Sequence, residues 1–308
     1  MSTSAPHAAF AACSALAAAH YENFPVRAPF LPRRARDDLA AVYAFCRATD
    51  DLGDEHAGDG PAALEAWEEG VRRALAGEPP RESPFLAALA ETAARRRLPS
   101  DLFLRLIEAN RRDQTMDRYP DEAALIDYCR HSATPVGRMV LGIVGVDEPL
   151  DPEASGPLVQ LADATSIGLQ LANFWQDLAR DWAQGRCYLP LDVCARHGVD
   201  PALELSRARA SKALTGVVAE MVVWARDFLA RGWPLAGHLT LRWRPLVRGF
   251  TRGGWAVCDA IAAQGGDTLT ARPILSRRAR RLILFREILR APTRHPRLDG
   301  GAGRTRRR

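Results

Sequence analysis

Lysine is almost missing from this chain. Of its 42 basic residues, 41 are arginine and only Lys212 is lysine. So complete a skew, alongside abundant Ala and Gly, is a compositional bias and takes weight away from any reading that counts arginines. The formal charge of +5 at pH 7 favours anionic partners such as phosphates, nucleic acid or an acidic membrane surface. Much of it sits in the terminal GRTRRR, residues 303–308, which reads as a solvated end. Nucleic-acid binding is left without a site, and no nucleic-acid partner is expected.

Other absences narrow the field. No stretch reaches the roughly 20 apolar residues that cross a bilayer, and MVLGIVG at 139–145 is far too short. The opening MSTSAPHAAFAACSALAAAH lacks a basic n-region and a strong apolar core, so it does not read as a secretory signal. The cysteines at 13, 46, 129, 187, 194 and 258 have no C-x-x-C spacing and lie mostly among apolar residues. They are expected to be buried free thiols in a reducing compartment. The expected location is the cytoplasm, with peripheral contact at the inner face of the cell membrane left open. His20, His131, His197 and His238 are scattered, without zinc-ligand spacing. Neither G-x-G-x-x-G nor G-x-x-x-x-G-K-[ST] occurs, which excludes the usual routes to dinucleotide or nucleotide binding.

Strand alternation is absent too, and what remains is helix. With 47% hydrophobic and 26% charged residues the chain is a folded globular protein. The segment 35–51 carries apolar groups at 39, 42, 43, 45 and 46, and Pro29 and Pro32 stop any earlier helix from running into it. Periodicity predicts further helices near 61–76, 83–97, 100–112, 121–131, 135–145, 155–183, 205–230, 244–264 and 276–290. PPRESP (79–84), VDEPLDP (146–152) and GWPLAG (232–237) read as connections. No internal repeat or long linker divides the chain. The expected architecture is a flexible N-terminus over 1–19, one all-α domain around a central cavity over 20–290, and a basic flexible tail over 291–308.

Two acidic patterns stand out in these helices. In NFWQDLARDW, residues 173–182, Asn173, Asp177 and Asp181 fall at i, i+4 and i+8. With Asp163, Ser166 and Gln170 they form one narrow polar stripe on an otherwise apolar segment from Leu158 to Trp182. That pattern suits a helix packed on most sides and facing an internal cavity on one. In YAFCRATDDLGDE, residues 43–55, Tyr43, Arg47, Asp50 or Asp51, and Asp54 share a face in the same way. Like charges at i,i+4 cost a helix a few tenths of a kcal/mol, and burying them unpaired costs far more. A shared divalent cation resolves the conflict. Mg²⁺ prefers oxygen ligands and bridges carboxylates to substrate phosphates, so the patterns point to a greasy diphosphate ester whose leaving group the metal neutralises. The bland alternative is a pair of solvated acidic faces, for which either D-x-x-x-D alone would be no surprise.

DDLGD (50–54) and NFWQDLARDWAQGRCYLP (173–190) resemble the two aspartate-rich motifs of the squalene/phytoene synthase family, and the likeness runs from about His20 to Glu287. The resemblance implies an isoprenoid-synthase-type helical bundle acting on prenyl diphosphates. It implies Asp50, Asp54, Asp177 and Asp181 as ligands to a cluster of two or three Mg²⁺, with Asn173 beside them. It implies diphosphate contacts from Tyr43 and Arg47, and cavity positions at Asp113, Gln114, Tyr128 and Gln170. Asp51, Arg186, Tyr188 and Trp255, with His20, Asn23 and Phe24, complete the expected substrate-contacting set. HYENFPV (20–26) and TPVG (134–137) look like the hopanoid-pathway hydroxysqualene synthase branch. That branch ionises presqualene diphosphate and lets water capture the rearranged cation, without NADPH. It receives substrate from a presqualene diphosphate synthase and passes product to a reductase. Gln176 stands where an arginine is common, a loss that fits an enzyme handling one diphosphate, unless Arg180 or Arg186 compensates. Condensation of farnesyl diphosphate, a phytoene or dehydrosqualene synthase, and a non-catalytic lipid-binding helical protein are the alternatives.

Overall fold

A computed structural model of the chain describes residues 5–19, 30–54, 60–78, 83–116 and 118–289. Among them the chain is helical, and the one isolated bridge pairs Arg118 with Cys187. The helices are α1 (Ala5–Ala19), α2 (Arg33–Asp54), α3 (Gly60–Leu75), α4 (Pro84–Arg96), α5 (Ser100–Arg112), α6 (Glu122–Ser132), α7 (Thr134–Val144) and α8 (Pro157–Gln176). After these come α9 (Leu178–Ala183), α10 (Leu191–Arg196), α11 (Pro201–Leu205), α12 (Lys212–Gly232), α13 (Leu235–His238), α14 (Arg244–Ala263) and α15 (Arg277–Leu289). None is long and apolar enough to cross a membrane. All six cysteines are free, and every one but the half-buried Cys46 is buried.

Helix α2 carries the first acidic motif, and its apolar face decides where that motif points. Leu39, Val42 and Phe45 are buried, and Phe45 packs on Trp67 of α3 and Phe103 of α5, with ring centroids 6.2 and 5.3 Å away. Thr49 accepts a 2.9 Å hydrogen bond from the Trp67 indole. On the opposite flank the fully buried Asp38 accepts from Arg95, Arg96 and Thr92 of α4.

Helix α8 carries the second motif through the middle of the molecule. The Glu148 carboxylate accepts from the amides of Leu158 and Val159, satisfying orphan donors at its start. Ile167, Leu171, Phe174 and Trp175 are buried, and the helix packs against α7, α12 and α14. Two apolar cores result, one built largely from α2–α5 and α7, the other from α6, α8, α12 and α14.

Several expected boundaries shift. The helix expected over 155–183 is divided at Asp177, whose backbone (φ −107°, ψ 14°) leaves the helical region, at the place where residues 272–273 grip Gln176 and Asp177. The segment 205–230 starts late, because Asp200 caps α11 and Ser211 caps α12; such short polar side chains favour helix starts over helix interiors. GWPLAG runs from the last residue of α12 into the single turn α13. Within the stretch expected over 1–19 to be flexible, Ala5–Ala19 forms a helix. Its Ala9, Phe10, Cys13 and Ala17 are buried, most of them packing on alanines of α2 and α4, and Arg95 lies over the Phe10 ring. Its alanine-rich composition has little amphipathic contrast and so gives no periodic signal. Residues 291–308 lie outside the described residues.

Asp38→Ala would leave Arg95 and Arg96 without their shared anion. Because both guanidiniums are partly exposed, the expected loss is about 2 kcal/mol, read as a lower midpoint in urea with an unchanged slope.

Candidate active site

Helices α2, α5, α6, α7, α8, α9 and α14 enclose one cavity of about 390 Å³, within the range of a small-molecule site. Leu39, Val42, Leu106, Val136, Val140, Leu169 and Phe250 make its apolar wall. Asp50, Asp54, Asp177 and Asp181 all line it, and so do Tyr43, Arg47, Asp113, Tyr128, Gln170, Asn173, Arg186 and Tyr188. The polar stripe on α8 and α9 therefore faces inward at Ser166, Gln170, Asn173, Asp177 and Asp181. Asp163 does not join them. It is paired with the buried Arg138 of α7 at 2.6 Å.

The glycine in DDLGD has a steric reason. A Cβ at Gly53 would lie 2.3 Å from Asn110 Oδ1, so only glycine lets α5 come close enough for Asn110 Nδ2 to donate to Asp50 at 3.3 Å. The trailing G-R-x-Y-L-P has a topological one. Gly185 adopts φ +81°, the left-handed region that glycine enters freely. There the chain reverses, and the Arg186 amide donates to the Asp181 carbonyl at 2.9 Å. The returning strand-like segment bridges at Cys187 to Arg118, and the amides of Leu191 and Asp192 donate to the carbonyls of Tyr119 and Pro120. Arg186 and Tyr188 are thereby held against Asp113 and Tyr128. Tyr188 stacks on Phe174 with centroids 3.9 Å apart, and Tyr119 and Tyr128 complete the aromatic cluster.

Arg186 is the cation common to both motifs. Its Nη2 lies 2.8 Å from Asp54 Oδ1, and its charge acts on Asp113 and Asp181. Burial works against its charge, but Tyr188, Asp113 and Asp54 outweigh that and hold its pKa above the ordinary value. Even so, the carboxylates outnumber it. Burial, with Asp177 adjacent, pushes Asp181 up to about 8. Asp50 lines the cavity with its side chain open to that space, and desolvation by the protein around it pushes it up to about 7, with Asp54 and Asp113 adding to the rise. Asp113 rises to about 6 through burial, although Tyr128 donates to its Oδ2 and Arg186 and Tyr188 also favour its charged form.

This charge imbalance tests whether the residues fit a metal. No group of three His, Cys, Asp or Glu among the described residues forms a ready-made metal cage. Two pairs of carboxylates short of positive charge, with cavity space between them, instead suit Mg²⁺, which takes one or two carboxylates and completes its shell with water and phosphate oxygens. The residues present fit that ion.

Several expected contacts fall elsewhere. Asp51 points out of the cavity, its side chain 49% exposed, and accepts from Arg47 one turn earlier. Gln114 and Trp255 are not in the cavity wall. Gln114 lies two residues past the end of α5, in the turn that follows it. Trp255 packs on Trp233, with Arg252 over both rings, because the face of α14 that it occupies is turned from Phe250 and the cavity. His20, Asn23 and Phe24 lie outside the described residues. Gln176 is fully buried and donates to the Pro273 carbonyl, so its side chain does not reach the cavity. The missing charge is restored from a distant segment, since Arg272 donates to both carboxylate oxygens of Asp177. Sequence reasoning missed Arg272 and Asn110. Asn110 had a legible trace, an amide one turn before Asp113 on an apolar face. Arg272 had none, being one arginine among 41.

With this geometry in view, comparison decides the family. The profile of squalene/phytoene synthase matches residues 17–280. The chain belongs to this family. A phytoene synthase of Thermus thermophilus is 33% identical over 89% of this chain and 90% of its own length. A hydroxysqualene synthase of Rhodopseudomonas palustris is 34% identical over 71% of each chain. The crystal structure of squalene synthase HpnC from Alicyclobacillus acidocaldarius superposes with a TM-score of 0.75 at 41% identity, covering 86% of this chain and 97% of that one. The fold is thus the all-helical isoprenoid synthase fold, and the chain is an enzyme of this family.

The raised carboxylates set a sign for pH. Folded Asp181 holds its proton to about 8 while the unfolded side chain releases it near 3.8, so the metal-free protein loses stability as pH rises between those values. Asp181→Asn removes that penalty. In EDTA the variant is expected to melt above the parent at pH 8, with the margin shrinking as pH falls towards 4. A margin that is flat or grows on acidification contradicts the assignment.

Proposed function

We propose that the protein converts presqualene diphosphate to hydroxysqualene. The observation that carries this reading is the meeting of both acidic motifs with Arg186 in one cavity that also has an apolar wall. Asp50, Asp54, Asn173, Asp177 and Asp181 would hold Mg²⁺. When bound there, Mg²⁺ neutralises the charge that develops on a departing diphosphate. Arg47, Arg180 and Arg186 line the same cavity and would donate to the diphosphate oxygens. Phe174, Tyr188 and Phe250 line the cavity and would bring aromatic side chains close to the cyclopropylcarbinyl cation as it rearranges. Leu39, Val42, Val136 and Val140 keep stray water from it. Gln170, Ser132 and Ser166 are polar exceptions in that wall and can orient the one water that ends the reaction.

Support for this branch comes from HYENFPV and TPVG and from the named hydroxysqualene synthases, which include one of Zymomonas mobilis 33% identical over 70% of this chain. In TPVG, a Cβ at Gly137 would lie 2.1 Å from Ser166 Oγ, so the glycine sets how closely α7 meets α8. Two observations favour a second reading, head-to-head condensation of two farnesyl diphosphates. The phytoene synthase of T. thermophilus matches over more of the chain, and Arg272 supplies the positive charge that Gln176 lacks.

Pure protein with Mg²⁺ and no NADPH separates the two. Hydroxysqualene formed from presqualene diphosphate alone is the expected result. Presqualene diphosphate, or a C30 or C40 hydrocarbon, formed efficiently from farnesyl or geranylgeranyl diphosphate would establish condensation instead.

A further inference from the structure

Helix α15, RRARRLILFREIL, is amphipathic in the wrong sense for a helix on a water-facing surface. Its carboxylate points inward: Glu287 is 4% exposed and pairs with Arg252 of α14 at 3.4 Å. Its largest apolar side chains point outward. Leu282, Phe285 and Leu289 are 47, 55 and 64% exposed and lie at i, i+3 and i+7, so they form one ridge, with the exposed Ile288 beside it. Arg278 continues the ridge, and Arg281 and Arg286 flank it, all exposed. An ordinary surface helix buries the apolar stripe and solvates the charges.

We propose that α15 is a docking helix that seats the enzyme on an anionic lipid surface. The ridge enters the acyl boundary while the flanking arginines meet lipid phosphates, the arrangement by which basic amphipathic helices lie in a membrane interface. Charge selects this occupant over two others. Residues 290–308 carry seven arginines and one acid, Asp299, so that segment is repelled by the arginines flanking the ridge. A second copy of the chain would bring two arginine-flanked faces together. An anionic bilayer satisfies both the arginines and the ridge. The choice of partner rests on the reading of the substrate as a lipid diphosphate. The placement has a logic for such a substrate, because α14 presents Phe250 to the cavity and Arg252 to α15, so one helix separates the apolar chamber from the docking face.

The test is co-sedimentation of the full chain with phosphatidylcholine vesicles, with and without phosphatidylglycerol, using the parent, Phe285→Glu, and the double variant Arg278→Glu/Arg281→Glu. Circular dichroism and turnover of detergent-dispersed presqualene diphosphate serve as folding controls. Binding to the anionic vesicles only, weakened about tenfold or more in Phe285→Glu and also in the arginine variant, is the expected result. Binding that Phe285→Glu leaves intact but deletion of 290–308 abolishes would overturn it, assigning adsorption to the tail. Absence of vesicle binding, with or without a dimer that Phe285→Glu dissociates, would overturn it as well. Failure to form hydroxysqualene would count against the proposed reaction and leave the vesicle result standing.

Discussion

Negative charge held in a space of low polarity is the constraint around which this molecule is arranged. Four motif carboxylates and Asp113 share a cavity whose remaining wall is mostly hydrocarbon. Such charges survive burial only if they are protonated or paired. Arg186 reaches Asp54 directly and acts on Asp113 and Asp181, while Arg272 takes Asp177 and Arg47 takes the outward Asp51. The cost of holding carboxylates there is visible in the upward shifts of Asp50, Asp113 and Asp181, which desolvation causes first and the neighbouring acids second. A protein that paid only for stability would not keep them. An enzyme that must attract a divalent cation and a diphosphate together would.

The scaffold supplies the rigidity that this charge cluster needs. Asp50 and Asp54 ride on a helix fixed by Phe45, Trp67 and Asp38, with Asn110 seated against Gly53. Asp177 and Asp181 follow a helix enclosed on nearly every side, and the reversal at Gly185 returns Arg186 over them. The string G-R-x-Y-L-P is a small folding unit. Its glycine turns the chain, its arginine serves the charge cluster, its tyrosine stacks on Phe174, and Leu189 anchors the exit in the core.

Much of this was legible before any coordinates. Helical periodicity located α2, α5 and α14 to within a few residues, since each buries a clear apolar face. The two D-x-x-x-D patterns announced their own site because acids are rare on faces that pack. What stayed hidden was hidden for physical reasons. The alanine-rich α1 has no periodic contrast, and Asp51 differs from Asp50 only by a 100° step around the helix, which sends it outward. The partnership of Arg272 with Asp177 joins residues far apart in the chain, and no local pattern encodes it. Gln176 misled for a related reason: its neighbour Asp177 faces the cavity, but its own side chain turns to Pro273.

The claim that a charge-deficient gap between the two motifs is a divalent cation site can be read directly. Crystals grown with Mn²⁺ and inorganic pyrophosphate, measured at the manganese absorption edge, should show anomalous peaks within coordination distance of Asp50 or Asp54 and of Asp177 or Asp181, with pyrophosphate oxygens between them. Well-ordered crystals in which that space holds no anomalous scatterer, and in which manganese binds only on the outer surface, would contradict the account.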